Sequence, residues 1–143
     1  MKKLLIFLAM LLPVATASAE SRPIDSSALP IEAQQFIQKH FPQQKVVFAS
    51  IDSGMFDTDY DVRLDNGTKL EFNSKGTCKD AESKQGLLPV SIMPSYVVEY
   101  VKANFPTATY YKIECDNRTV EVEISNGLEI TFNQQGKVIE IDD

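Results

Sequence analysis

The sequence predicts an α+β fold of two tandem repeats, each with one helix packed on a four-stranded antiparallel β-meander. Three observations lead to this prediction. Residues 65–76 (DNGTKLEFNSKG) and 125–136 (SNGLEITFNQQG) share an Asn-Gly turn, an alternating strand, an Asn after its Phe and a closing Gly. A helix-like run that ends in Phe-Pro precedes each copy, and four strand-like runs follow each helix. A chain of 143 residues is long enough for one domain or two small ones.

The two helices are predicted from apolar residues spaced three and four apart, which line one helical face. A proline stands in the first turn of each run, and another follows its last residue, where it disfavours helical geometry. In the first run the apolar positions are Ala33, Phe36, Ile37 and Phe41, between Pro30 and Pro42. In the second they are Val97, Tyr100, Val101 and Phe105, between Pro94 and Pro106.

The strands are predicted from alternation between turn signals, and Asn66-Gly67 and Asn126-Gly127 are strong hairpin signals. The predicted strands are residues 45–52, 59–65, 68–73 and 77–82, then 109–116, 119–125, 128–133 and 137–141. Phe41 and Phe105 are 64 residues apart, whereas Gly67 and Gly127 are 60 apart. The first repeat therefore carries four extra residues, which we place in the 53–59 loop.

Residues 1–19 have the three parts of a secretory signal: Lys2 and Lys3, an apolar stretch over 4–12, and Ala17-Ser18-Ala19 before the predicted cut. We therefore expect a periplasmic or secreted protein that begins at Glu20 and has no membrane insertion after cleavage. Residues 20–28 are predicted to be a polar N-terminal tether, 29–84 the first repeat and 85–143 the second. Cys78 and Cys115 are either two thiols in apolar positions or a disulfide, which an oxidising compartment permits.

Charge and residue types exclude several kinds of function. The formal net charge is −6, and removal of Lys2 and Lys3 makes it −8, which argues against a nucleic-acid partner. A single His and no Cys-x-x-Cys leave little material for a metal site, and no cofactor is expected. Residues 57–61 (DTDYD) resemble the start of a calcium loop, but Val62 stands where the loop glycine belongs. His40 has no plausible nucleophile or orienting partner, so we expect no enzyme activity.

The predicted binding surface is the sheet side that alternation leaves open, together with the 53–59 loop. Apolar side chains there would supply contact area and charged ones would select the partner. Met55 and Phe56 lie on the inserted loop, either as an anchor for a partner or folded back on the sheet edge. The candidate residues are Val46, Phe48, Met55, Phe56, Arg63, Lys69, Tyr110, Lys112, Glu121 and Glu123.

The signal peptide, the Phe-Pro helix ends and the paired NG…FN…G hairpins resemble those of the PepSY-like periplasmic proteins, which are β-lactamase-inhibitor-like. The resemblance covers residues 29–143 and implies a fold similar to the β-lactamase inhibitory protein, with helices on one side of an open sheet. It carries no catalytic residues over to this chain. The expected function is binding of a protein or peptide, including inhibition of an exported enzyme. The alternative is a structural, self-associating or small-ligand-binding module without inhibitory activity.

Overall fold

The computed structural model describes residues 20–143, so the predicted signal peptide lies outside the described residues. Within these residues, two helices and nine strands follow one another. They are β1 Glu20–Pro23, α1 Ile31–His40, β2 Val46–Ser53, β3 Thr58–Leu64, β4 Lys69–Asn73, β5 Cys78–Glu82, α2 Ser95–Asn104, β6 Tyr110–Cys115, β7 Thr119–Ile124, β8 Glu129–Asn133 and β9 Val138–Asp142. Short 3-10 turns at Ser26–Ala28 and Val90–Ile92 precede the helices. None of the helices in residues 20–143 is long and apolar enough to cross a membrane.

The nine strands form one continuous antiparallel sheet in which every strand pairs with its neighbours in the sequence. The predicted α+β class is confirmed, and both helices and eight of the nine strands lie where the sequence places them. Strands β5 and β6 join the two halves through the pair Ala81–Ile113 and its neighbours. Because the sheet is continuous, the two halves of the chain share both of its faces.

Both helices pack on the same side of the sheet, through residues that alternation assigns to the core. Phe72 on β4 and Phe132 on β8 are fully buried. The Phe36 ring of α1 lies 5.5 Å from that of Phe72, in an edge-to-face arrangement. The Tyr100 ring of α2 lies 5.6 Å from that of Phe132 in the same geometry. Such aromatic pairs add about 0.5–1.5 kcal/mol beyond the area that they bury.

The Asn that follows each core Phe organises the next turn. The Asn73 side-chain oxygen accepts hydrogen bonds from the backbone amides of Lys75 and Thr77, both at 3.0 Å. Asn133 accepts the equivalent bonds from Gln135 and Lys137. An Asn side chain that bonds the backbone two residues on is a stable way to start a turn. The repeated Phe-Asn pair therefore combines a core residue with a turn residue.

The segment predicted as a polar tether differs from that prediction at its first four residues. Glu20–Pro23 form β1, which pairs with residues 50–53 of β2. Strand β2 is eight residues long, against six in the corresponding β6. Strand β1 satisfies backbone groups at the outer edge of β2, in the place that β5 takes beside β6. Alternation in ESRP is too weak to have predicted this strand.

Candidate functional site

The candidate site is the open face, which we define as the side of the sheet opposite α1 and α2. Within residues 20–143, the core cluster of buried apolar residues and both helices lie on the other side. Side chains that alternate with the core therefore lie on this face along every strand. Their order across the sheet follows from the strand register, and it forms two adjacent rows.

The first row, called here the mixed row, begins at Phe48 on β2. Each member stands directly opposite the next one on the neighbouring strand. The mixed row is Phe48, Arg63, Lys69, Glu82, Lys112, Glu123, Glu129 and Asp142. It is apolar and cationic at the β2 end and acidic at the β9 end. Five of the ten predicted binding residues lie in this one row: Phe48, Arg63, Lys69, Lys112 and Glu123.

The second row, called here the carboxylate row, runs beside the mixed row. It consists of Asp61, Glu71, Asp80, Glu114, Glu121, Thr131 and Glu140, each opposite the next in register. Glu121 is the only predicted binding residue among them. Alternation alone places several of these carboxylates outward, but their alignment depends on the pairing of β5 with β6. That pairing joins the two halves, and no local pattern in the sequence specifies it.

Two lysines hold part of the carboxylate row together. The Lys79 ammonium lies 3.2 Å from an Asp59 oxygen and 3.5 Å from a Glu71 oxygen. Burial lowers the pKa of Lys79, but the hydrogen bond and charge of Asp59, with those of Glu71, raise it overall. Lys112 lies 3.4 Å from Glu114 and 3.8 Å from Asp80. These partly exposed pairs fix side-chain positions more than they add stability.

Two further carboxylates of the row, Asp61 and Glu121, are costly to ionise. Burial, followed by the charges of Asp52 and Asp59, raises the pKa of Asp61. Burial, followed by Glu129 and Glu114, raises the pKa of Glu121. Carboxylates directly opposite one another on a sheet repel each other. The row therefore favours any state in which a cation or a proton lies against it.

The pKa shift of Asp61 predicts a pH-dependent stability. A raised native pKa means that the folded protein binds this proton more tightly than the unfolded chain does. The resulting stabilisation is complete below the unfolded pKa and is lost as the pH rises through the native one. Asp61→Asn should therefore raise the free energy of unfolding at pH 7, and the gain should shrink as the pH is lowered towards 4. Urea unfolding across this pH range measures the effect.

Asp116 provides the control for that experiment. Backbone hydrogen bonds from Arg118 and Thr119 lower the pKa of Asp116, so its ionised form is favoured in the folded protein. Asp116→Asn should lower stability at pH 7, which is the opposite sign. If Asp61→Asn also destabilised the protein at pH 7, the cost of ionising Asp61 that burial, Asp52 and Asp59 impose would be contradicted.

Two predicted binding residues, Val46 and Tyr110, do not lie on the open face, and their placement is a correction. Val46 packs against the core, and Tyr110 is buried within it. The cause is a β-bulge in each strand, between Val46 and Phe48 in β2 and between Tyr110 and Lys112 in β6. A bulge adds one residue and thereby exchanges the faces of the residues on either side of it. Phe48 and Lys112 thus face outward, while Val46 and Tyr110 face the helices.

The inserted loop leaves Met55 and Phe56 exposed, with 79% and 91% of their surfaces accessible. Phe56 is thus not buried against the sheet edge. This loop joins β2 to β3 at the end far from Phe48, since Ser53 is five residues, or roughly 16 Å, from Phe48. Phe56 instead borders a concavity of about 580 Å³, together with Asp59, Lys79 and Cys115. The loop and the mixed row are therefore two separate surfaces.

Both cysteines are free thiols on neighbouring strands, half-buried on the helix side of the sheet. Burial, followed by the nearby Cys115, raises the pKa of Cys78 from its ordinary 9.0 to about 12. The thiolate is the reactive form, so its fraction at pH 8 falls about a thousandfold. Iodoacetamide should accordingly label Cys78 far more slowly in the folded protein than in urea, as mass spectrometry can follow. Equal labelling rates in the two states would contradict this environment.

In the part of the chain from Glu20 onward, no group of three or more His, Cys, Asp or Glu side chains could hold a metal ion. The Nδ1 atom of His40 lies 2.8 Å from the Ser91 hydroxyl, so this imidazole links the end of α1 to the turn before α2. This contact gives His40 a structural role.

Three solved structures have the same fold. A putative periplasmic protein of the DUF2874 family from Bacteroides vulgatus is 43% identical, with a TM-score of 0.84 over 87% of this chain and 98% of its own. A putative calcium-regulated periplasmic protein from Bacteroides thetaiotaomicron is 37% identical, with a TM-score of 0.83 over 86% and 97%. A putative periplasmic protein of unknown function from Bacteroides vulgatus is 36% identical, with a TM-score of 0.81 over 87% and 100%.

No curated protein matches this chain at a significant level. A family profile does match, over residues 58–140, and its description is "Putative beta-lactamase-inhibitor-like, PepSY-like". This agrees with the resemblance carried by the repeated hairpins and the Phe-Pro helix ends. The matched span and the solved relatives together show that this chain belongs to the PepSY-like family of periplasmic proteins.

Proposed function

We propose that this protein is a non-catalytic periplasmic module that binds a protein or peptide through its open face. The observation that carries the proposal is the mixed row, where a half-exposed Phe48 adjoins Arg63 and Lys69 on a surface that neither helix covers. A depression of about 270 Å³ lies beside Phe48 and Asp61. An apolar side chain with charged neighbours and an adjacent depression suits a small partner-binding patch.

The proposal includes export and internal duplication. A cut after Ala19 would leave Glu20, the first residue of β1, at the amino terminus. Tandem repeats are supported by the matching element order and by bulges at corresponding places, Val46/Phe48 with Tyr110/Lys112 and Glu71/Phe72 with Thr131/Phe132. The Asn73 and Asn133 turns agree in the same way. Duplication of a helix-capped unit would extend the open face without adding a second core.

Inhibition of an exported enzyme is the form of binding that the family description suggests. An inhibitor needs a rigid surface that the free protein already presents, because ordering it on binding costs affinity. The mixed row lies on paired strands of one sheet, and the salt bridges of Lys112 hold its centre. The open face is thus suited to inhibition of an enzyme. Identification of the bound partner distinguishes an inhibitor from another kind of binding module.

A pull-down from periplasmic extract tests the proposal and separates the two surfaces. Phe48→Ala and Phe56→Ala are made singly and together, and because both side chains are exposed the fold should be unaffected. The partner should be lost with Phe48→Ala and with the double variant. Equal recovery by wild type and double variant would refute the assigned surface. Parallel samples with Ca²⁺ and with a chelator are informative, because one relative is described as calcium-regulated.

A second candidate, small-ligand binding, is favoured by the concavity beside Phe56. Its lining combines that exposed ring with Lys79 and with polar backbone turns at Asn73 and Asn117. Recovery of no protein partner, with loss of a copurified small molecule on Phe56→Ala, would favour this candidate over the first.

A further inference from the structure

Strand β9 is an edge of the sheet whose properties differ from those of the other edge. Among the described residues it pairs only with β8, so one row of its backbone N–H and C=O groups has no strand partner. Two of its side chains are exposed apolar ones, Ile139 at 56% and Ile141 at 47%. An exposed apolar edge strand is a template for a further strand, and β9 is regular from Glu140 to Asp142, beyond the bulge at Ile139.

The opposite edge lacks these properties. Strand β1 has four residues, all exposed, with Arg22 in it and Pro23 at its end. A proline has no N–H to donate, and a short strand offers few pairing positions. Strand addition is therefore favoured at β9 and disfavoured at β1.

The open face beside β9 is strongly acidic. Directly paired carboxylates continue onto the edge itself, as Glu123–Glu129–Asp142 in the mixed row. Glu140 ends the carboxylate row, opposite Thr131. In residues 20–143, no lysine or arginine nitrogen lies within 4 Å of these carboxylates, whose neighbours toward β5 are bridged by Lys79 and Lys112. Lys112 stands opposite Glu123 in the strand register, but its ammonium is bridged to Asp80 and Glu114, so this corner of the face is negatively charged.

At β9, the open face and the helix side of the sheet favour different side chains in an added strand. Glu140 and Asp142 face the open side, whereas Ile141 stands opposite Ile130 on the helix side. An added strand would place alternate residues beside the carboxylates and the intervening ones beside Ile141. A second copy of β9 would bring carboxylates against carboxylates, which is destabilising. The matching occupant is a strand that alternates basic and apolar residues.

We propose that β9 is a docking edge for an extended cationic segment of a partner protein, in which Lys or Arg alternates with aliphatic residues. The segment adds a tenth strand, hydrogen-bonds to the free edge of β9 and sets its cations beside Glu140 and Asp142. Binding by strand addition draws affinity from backbone bonds and specificity from alternate side chains. The β9 edge is separate from the surface around Phe48, Arg63 and Lys69. Each of the two binding proposals can therefore be wrong without affecting the other.

The test uses the full mature protein and a labelled six-residue peptide of alternating Lys and Val, with blocked ends. Its binding is followed by fluorescence anisotropy, and amide hydrogen exchange of the complex is followed by NMR. The peptide should bind and slow the exchange of amides within residues 138–142. Protection confined to β2–β4, or none at all, would overturn the proposal.

Two matched controls separate strand pairing from simple attraction. A peptide with the same charges but an N-methyl group on every amide has no N–H donor on either edge and cannot pair as a strand, so equal binding by it would contradict strand addition. The double variant Glu140→Lys/Asp142→Lys should bind the Lys-Val peptide about tenfold more weakly or worse. Glu32→Lys/Glu99→Lys changes net charge equally on the helices and should retain most of the affinity. Phe48→Ala should leave peptide binding unchanged, whatever its effect on capture of the native partner.

Discussion

Replacement of Phe132 by alanine is expected to lower the free energy of unfolding by about 3–5 kcal/mol. The Phe132 side chain is fully buried, and the rings of Tyr96 and Tyr100 lie 5.5 and 5.6 Å from it. Its removal leaves a cavity between α2 and β8 that these rings can fill only in part. Urea unfolding monitored by circular dichroism measures the loss, and Phe132→Leu should show a smaller one.

Phe56→Ala is the matched control, because the same side chain is removed from a position that is 91% exposed. Its effect should stay within about 0.5 kcal/mol. A loss at Phe56 as large as that at Phe132 would mean that the inserted loop packs on the sheet, contrary to its exposure.

Gly76→Ala is expected to cost about 3 kcal/mol, whereas Gly67→Ala should cost about 1 kcal/mol. Both glycines have positive φ, +86° and +84°, so an alanine is strained equally at either position. They differ in space: an added Cβ at Gly76 would lie 2.8 Å from the backbone nitrogen of Ala33, while Gly67 has nothing within 4 Å. The difference between the two variants therefore isolates contact with the start of α1.

Thermal and urea unfolding of the two variants give this difference directly. Equal losses would show that backbone strain alone accounts for both, and that α1 does not lie tightly against the turn between β4 and β5. Gly136 is the corresponding position near α2, where a Cβ would meet the ring of Tyr96 at 2.8 Å. Since a side chain can move more readily than a backbone, Gly136→Ala should fall between the other two.

The elements that sequence predicts well are those fixed by local chemistry. Both helices follow the three- and four-residue spacing of their apolar residues and end before a proline. The hairpins follow Asn-Gly turns, and the Phe-Asn pairs combine a core position with a turn that Asn73 and Asn133 stabilise. None of these features needs a partner from a distant part of the chain, so a single sequence is enough to place them.

The faces of β2 and β6 are less predictable, because each contains a bulge inside an apolar run. In Val46-Val47-Phe48 and in Tyr110-Tyr111, either alternation puts an apolar residue inside, so the pattern does not choose between them. The bulges carry no glycine or proline that would mark them. This explains why Val46 and Tyr110 lie on the helix side, although Phe48 and Lys112 face outward as predicted.

Local patterns in the sequence do not predict the carboxylate row or strand β1, because both depend on pairing between distant residues. Glu71 and Glu121 become members of one row only when β5 pairs with β6, a contact between the two halves. Likewise, Glu20–Pro23 become a strand only through their pairing with residues 50–53 of β2, which are distant in the sequence. Alternation predicts which of these side chains face outward. Their alignment into one charged surface depends on pairing between distant strands.

Carboxyl footprinting in native extract tests most directly whether a partner covers the open face. The purified protein and the same protein in periplasmic extract are labelled with a carbodiimide and an amine, and the modified residues are identified by mass spectrometry. Modification of Glu71, Glu121 and Glu123 should fall in the extract, while that of the helix residues Glu32 and Glu99 should stay constant. Equal modification of the open-face carboxylates in the two samples, or protection of Glu32 and Glu99 alone, would contradict the proposed role.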